Sequence, residues 1–215
     1  MDYAQISEMA AASGLAIFGG FHPLASDGCP EGTATMLLLS PAEPGFWPRM
    51  MAEPEMQDGH PDPVDRWSAR VVSGLAEALQ GAALFPFGGP PYQPFIAWAM
   101  RTGRAWPSPV GMLIHDRDGL MISIRGAVAL PYPVDLPGSG PRPCDACDAP
   151  CATACPVNAL GPDGYDVAAC HGFLDSAAGG DCMTMGCAAR RACPVSAASG
   201  RSPEQSAYHM RQFHK

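Results

Sequence analysis

Lysine is almost missing from this chain of 215 residues: of its 13 basic residues only Lys215 is a lysine, and it stands last in the sequence. That removes Schiff-base chemistry, pyridoxal phosphate anchoring and a Walker A phosphate cradle, each of which needs a lysine within the fold. Charge of either sign is scarce, at 16% of residues, and what remains is acidic, with a formal net charge of -8. Acids outnumber bases 14 to 7 before Pro141 and 7 to 6 from there on. A phosphate backbone meets no basic surface here, so no nucleic-acid partner is expected. Apolar runs long enough to span a bilayer are lacking too, which argues against a membrane partner. The opening MDYAQISEMAAASGLAIFGG carries acids where a targeting leader carries basic residues. A cytoplasmic location, with reduced thiols, is the expectation that follows.

Against these absences stand 47% hydrophobic residues, 24 prolines, 24 glycines and nine cysteines. The first figure is enough for a buried core, and the second and third call for short elements between rigid turns. Tyr3, Ile6, Met9 and Ala10 fall on one face of a helix closed by Gly14. LAIFGGF follows as a strand, and the continuous apolar run Thr33–Ser40 reads as a strand buried on both faces, near a sheet centre. PDPVDRWSARVVSGLAEALQG has Asp62 at the N-cap, Pro63 at the first helical position and Gly81 as terminator, with Val64, Trp67, Val71, Leu75 and Leu79 on one face. ALFPF reads as a short strand and YQPFIAWAMRTG as a helix. VGMLIH and LMISIRGAVAL flank DRDG, and the Asp118-Gly119 pair suits a tight antiparallel hairpin. SPEQSAYHMRQFHK reads as a terminal helix capped by Ser202. The fold class expected is α+β: an α/β layer domain over residues 1–135, a loop-rich two-cluster domain over 136–200, and a C-terminal helix over 201–215.

Eight of the nine cysteines lie between Cys144 and Cys193. CDACDAPCATACP sets Cys144, Cys147, Cys151 and Cys155 in a C-x2-C-x3-C-x3-C-P array, one residue longer than the bacterial ferredoxin run. Cys182, Cys187 and Cys193, the last followed by Pro194, form a looser C-x4-C-x5-C-P array, and Cys170 supplies an eighth thiol. Eight thiolates suit two cubane clusters or two four-cysteine zinc sites. Zinc favours paired C-x2-C knuckles, of which the eight contain one, whereas two arrays ending in C-P favour iron-sulfur.

The runs CDACDAPCATACPVNAL, YDVAACHGFLD and GCAARRACPVS resemble the dicluster domain of epoxyqueuosine reductases and, more loosely, of corrinoid-dependent reductive dehalogenases. The resemblance implies one 4Fe-4S cluster on Cys144, Cys147, Cys151 and Cys193, and a second on Cys155, Cys170, Cys182 and Cys187. It also implies an N-terminal domain that holds cobalamin against the clusters. The family's acidic donor and its Lys-Asn pair have no counterpart in FPFGGPPY and PSPVGMLIH. The function expected is that of an iron-sulfur oxidoreductase passing electrons through two 4Fe-4S clusters, with an electron-donor or acceptor protein as partner and a small-molecule substrate as a further one. The alternatives are a ferredoxin-type carrier and, third, a zinc-stabilised interaction protein.

Other residues have two readings each. Cys29, in the polar turn ASDGCPEG, reads as an ordinary loop cysteine, and the acids around His115 read as turn chemistry. His171 either donates to cluster sulfur or faces solvent. Trp47, Trp67, Trp98 and Trp106 are each able to stack on a planar cofactor, but Trp67 and Trp98 sit on helical apolar faces and read as core, Trp106 being the freer candidate. Arg190 and Arg191 either dock an acidic partner or solvate a loop.

Overall fold

The computed structural model describes residues 1–162 and 164–215. In chain order the elements are α1 (Tyr3–Ala12), β1 (Leu15–Phe21), β2 (Thr35–Pro41), α2 (Phe46–Ala52), α3 (Pro54–Gln57), α4 (Pro63–Ala78), β3 (Ala82–Leu84), α5 (Phe95–Arg101), β4 (Ala105–Pro107), β5 (Leu113–His115) and β6 (Gly126–Leu130). Then follow β7 (Leu160–Gly161), β8 (Gly164–Tyr165), α6 (Val167–Leu174), α7 (Gly180–Met185), α8 (Ala188–Ala192), α9 (Pro194–Ala198) and α10 (Pro203–Phe213). With 43% helix and 15% strand in small sheets, the chain is a mixed α+β protein. It divides into two compact units, one of residues 1–104 and 123–140, the other of residues 105–122 and 141–215.

The first unit is built on an antiparallel sheet of order β1-β2-β6-β3. All seven residues of β2 are buried, as a continuous apolar run between two neighbouring strands demands. Each of Leu37, Leu38 and Leu39, at 1% exposure or less, contributes about 2 kcal/mol of apolar burial. Helix α4 lays Val64, Trp67, Ser68, Val72, Leu75 and Ala76 inward, against β6 and β3. Val72 rather than Val71 takes the core position, because the buried stripe runs 64, 68, 72 and 75 at the helical period. Asp62 does stand at the N-cap, but in a left-handed conformation with no side-chain capping bond, and Pro63 opens the first turn. The turn out of α4 is left-handed at Gln80, not at Gly81. Gly81 serves closeness instead: a Cβ there would meet the Ala129 carbonyl oxygen of β6 at 2.7 Å.

The second unit has no large sheet among its described residues. Its β4 and β5 pair antiparallel, Trp106 opposite Ile114, and the chain then turns through a single bridge between His115 and Gly119. The expected hairpin between VGMLIH and LMISIRGAVAL therefore does not form. Gly119 alone has a positive φ, of 58°, and Asp118 does not, so the two-residue turn such a hairpin needs is absent. The two halves go separate ways: β5 pairs back to β4, while β6 joins β2 and β3 in the first unit. Residues 105–122, placed by sequence with the first domain, pack instead with the cysteine segment. Val110, Ile114 and Leu120 form one buried cluster with Cys151 and Cys193, flanked by Trp106, Met112, Cys144, Leu160 and Val195. Trp106 is thus packed into this cluster. The rest of the unit is a succession of short helices and 3-10 turns, with α7 lying against α10. Ser202 caps α10 by accepting from the Gln205 amide.

Candidate metal centre

Proline sets the places of the cysteines. Pro143, Pro150 and Pro194 each stand in the first turn of a short helix or 3-10 turn, where a missing N–H costs nothing. Cys144 and Cys151 follow the first two within the opening turn, and Cys193 is the N-cap before the third. Cys187 is the N-cap of α8.

Cys144, Cys147, Cys151 and Cys193 line one cavity of about 440 Å³, with Ile114, Leu120 and Val195 among its walls. Burial pushes the Cys151 thiol up, and Cys193, Cys144 and Cys147 push it the same way. Cys144 is raised by burial, partly offset by Arg142, and raised again by Cys147 and Cys193. Ionising Cys144 or Cys151 beside the other thiols of this cavity is therefore costly until a positive charge enters among them.

The remaining four gather separately. Cys170 is raised by burial, and Cys187 and Cys155 add to it, while a hydrogen bond from the Tyr165 hydroxyl pulls the other way. Cys182 is raised by burial, eased by the Ala188 amide and raised by Cys187. The Ala159 amide donates to Cys155 Sγ at 3.3 Å. Cys193 thus shares a cavity with three cysteines of the first array, while Cys187 acts on both Cys170 and Cys182 and Cys155 acts on Cys170. Among the described residues no three His, Cys, Asp or Glu side chains converge as a group that would hold a single metal ion. Cys29 belongs to the other unit, with a thiol raised by burial and then by Asp27.

One contact that the sequence did not announce fixes Cys193. The Leu120 amide donates to Ser196 Oγ at 2.8 Å, a buried bond between residues 76 apart. Gly119 lies so close that a Cβ on it would stand 2.3 Å from the Ser196 nitrogen. The turn 115–119 is thereby clamped to α9, whose N-cap is Cys193. His115 stitches that turn: the Arg117 and Asp118 amides donate to its Nδ1 at 3.4 and 3.2 Å, and Nε2 faces Asp116 at 3.3 Å. Its acids are turn chemistry.

His171 neither faces solvent freely nor donates to a described partner. Its ring stands edge-on to Phe213 and His214, with Nε2 buried. Trp47, Trp67 and Trp98 are all core. Arg191 donates to the Gly186 carbonyl and pairs with Asp181. Arg190 is partly buried, and desolvation lowers its pKa against the pull of Cys187 and Tyr165.

In comparisons with known proteins, no family model, no curated protein and no solved structure matches the chain. Among the described residues no helix is long and apolar enough to cross a membrane.

Proposed function

We propose that the chain is an iron-sulfur protein that moves electrons through two 4Fe-4S clusters, one held by Cys144, Cys147, Cys151 and Cys193, the other by Cys155, Cys170, Cys182 and Cys187. The observation that carries the reading is the single cavity on which Cys193 joins the three cysteines of the first array. Two further points support it. Cys144 and Cys151, whose thiols burial and their neighbours hold protonated, are unfavourable as thiolates alone and favourable around a cationic core, so the donor set fits such a group. Four thiols around one cavity of about 440 Å³ leave room for a multi-iron core.

A bound cluster supplies reversible one-electron storage. The protein's own part is to hold the thiolates and exclude water: Val110, Ile114, Leu120 and Val195 pack around the first set and keep its surroundings apolar. A partner protein that gives or takes single electrons completes the reading. The corrinoid-dependent reductase is the more specific form of it and rests on the sequence resemblance. Cobalamin added to iron-loaded protein changes its visible and paramagnetic spectra if that form is right, and leaves both unchanged if the chain is a carrier.

Metal and sulfide analysis of anaerobically reconstituted protein tests the core of the proposal. About eight irons and eight acid-labile sulfides per chain are expected, with a broad absorption near ~400 nm. Two zincs and no colour overturn it.

A further inference from the structure

Hydrogen bonds to the sulfurs of an iron-sulfur cluster stabilise its more negative, reduced state. The walls of the cavity shared by Cys144, Cys147, Cys151 and Cys193 are poor in groups that could make them. Four lining residues, Pro109, Pro143, Pro150 and Pro194, have no N–H to give, and Ile114, Leu120 and Val195 present hydrocarbon side chains. Besides the cysteines, the polar side chains on the lining are those of Ser108 and Asp148. Asp148 is exposed, and an ionised carboxylate accepts hydrogen bonds without donating any.

Ser108 differs on both counts. It is only 8% exposed, and its backbone is already used: its N–H donates to the Met112 carbonyl at 2.9 Å, and its C=O accepts from the Gly111 amide at 3.1 Å. Its Oγ is buried and has no hydrogen-bond partner among the described residues. A buried hydroxyl without an acceptor is a standing cost to the fold, and calls for a partner that the polypeptide does not supply. The residue is also fixed relative to the ligands. Pro107 pairs with Leu113 across β4 and β5, and the Arg142 guanidinium donates to the Pro107 carbonyl at 2.6 Å. The strand end that presents Ser108 is thereby tied to the segment that leads through Pro143 into Cys144.

We propose that the Ser108 hydroxyl donates a hydrogen bond to a sulfur of the cluster held by Cys144, Cys147, Cys151 and Cys193, and so raises that cluster's reduction potential. The inference rests on the iron-sulfur reading above. No proton leaves the serine: reduction moves one electron from the reductant into the cluster, and the hydroxyl stabilises the charge that arrives. The proline and aliphatic walls hold the potential low, and this one hydroxyl sets how low.

The test is a dithionite redox titration of the reconstituted full chain followed by electron paramagnetic resonance, in which the signal altered by Cys193→Ser is that of the first set. Ser108→Ala removes the hydroxyl and keeps both backbone hydrogen bonds. It is expected to retain about eight irons and to lower the equilibrium constant for reduction of the first-set cluster about tenfold, or ~59 mV for one electron, with the other cluster unmoved. Ser108→Thr keeps a hydroxyl on the same Cβ and should return the midpoint most of the way to that of the parent chain. An unmoved or raised midpoint in Ser108→Ala, an equal shift of both clusters, or the same shift in Ser108→Thr overturns the inference while leaving the clusters in place. Loss of first-set iron from Ser108→Ala overturns it as well, since the hydroxyl would then support the site without tuning it. A chain that takes up no iron instead overturns the function proposed above, and this inference with it.

Discussion

The two units solve the problem of a core by different means. The first buries a four-stranded sheet under α4, with Phe18, Met36, Trp67 and Trp98 all at 0% exposure. Among its described residues the second has only two-residue and three-residue strands, and its buried cluster of Val110, Ile114 and Leu120 is completed by two cysteines. On the proposed reading, bound metal would add to the folding energy of the second unit. The difference would then separate a unit stable by apolar burial from one whose closure depends in part on what its thiols hold.

Stripping the metal should therefore break one unit and spare the other, and it is the largest effect expected. After treatment of reconstituted protein with a chelator and ferricyanide, limited proteolysis should cut within residues 141–215 while residues 1–104 stay protected. Equal protection of both segments before and after treatment would remove the contrast. In the opposite direction, Trp67→Ala should cost the first unit about 4 kcal/mol, since the ring is fully buried and packs edge-on against Phe46 at 5.3 Å. Urea denaturation should register that loss with the iron content unchanged.

A smaller change aims at the seam between turn and ligand. Gly119→Ala forces a Cβ to 2.3 Å from a backbone nitrogen at a positive φ, where no flexible side chain can give way. A cost of about 3 kcal/mol is expected, together with loss of iron from the set that includes Cys193, so that about four irons per chain remain. Retention of all the iron would mean that the clamp on Ser196 does not position Cys193.

What was legible in the sequence follows the range of the interactions concerned. Helix α4, strand β2 and the cap of α10 were readable because periodicity, an unbroken apolar run and a Ser-Pro pair are local signals. The approach of Cys193 to the cavity of Cys144, Cys147 and Cys151 is non-local, and spacing alone did not carry it; the resemblance of the surrounding runs implied it. The DRDG turn looked like a hairpin because strand partners are chosen by the sheet, and the sheet claimed β6 for β2 and β3. Gly81 looked like a terminator, yet its value lies in the approach of Ala129 from a strand far along the chain. Ser196 carried no signal at all: a serine two residues after a proline acquires its role only from Leu120.

Two aspartates, one in each unit, give the finest version of the comparison. Both Asp118 and Asp58 are held at a pKa of about 2, but by unlike surroundings. For Asp118 burial works to raise the pKa, and the hydrogen bonds and charges of His115 and Arg117 outweigh it; its side chain is only 13% exposed. For Asp58 the Arg66 guanidinium acts first, then the His60 amide, at a third of full exposure. A carboxylate whose folded pKa lies below its unfolded value of 3.8 stabilises the fold above that value, and the contribution is lost as pH falls through 2. For Asp118 this amounts to about 2 kcal/mol, present in full above pH ~5 and gone by pH ~1. Bleaching of the visible absorption of reconstituted protein after a stopped-flow jump into urea reads it in the second unit at pH ~6, where acid does not remove the sulfides. There Asp118→Asn should bleach faster than the parent chain. Asp58→Asn, screened by water and lying in the first unit, should leave the bleaching rate where it was. Equal rates for Asp118→Asn and the parent chain would mean that the carboxylate's charge, and with it the His115 turn, plays no part in holding the cysteine unit closed.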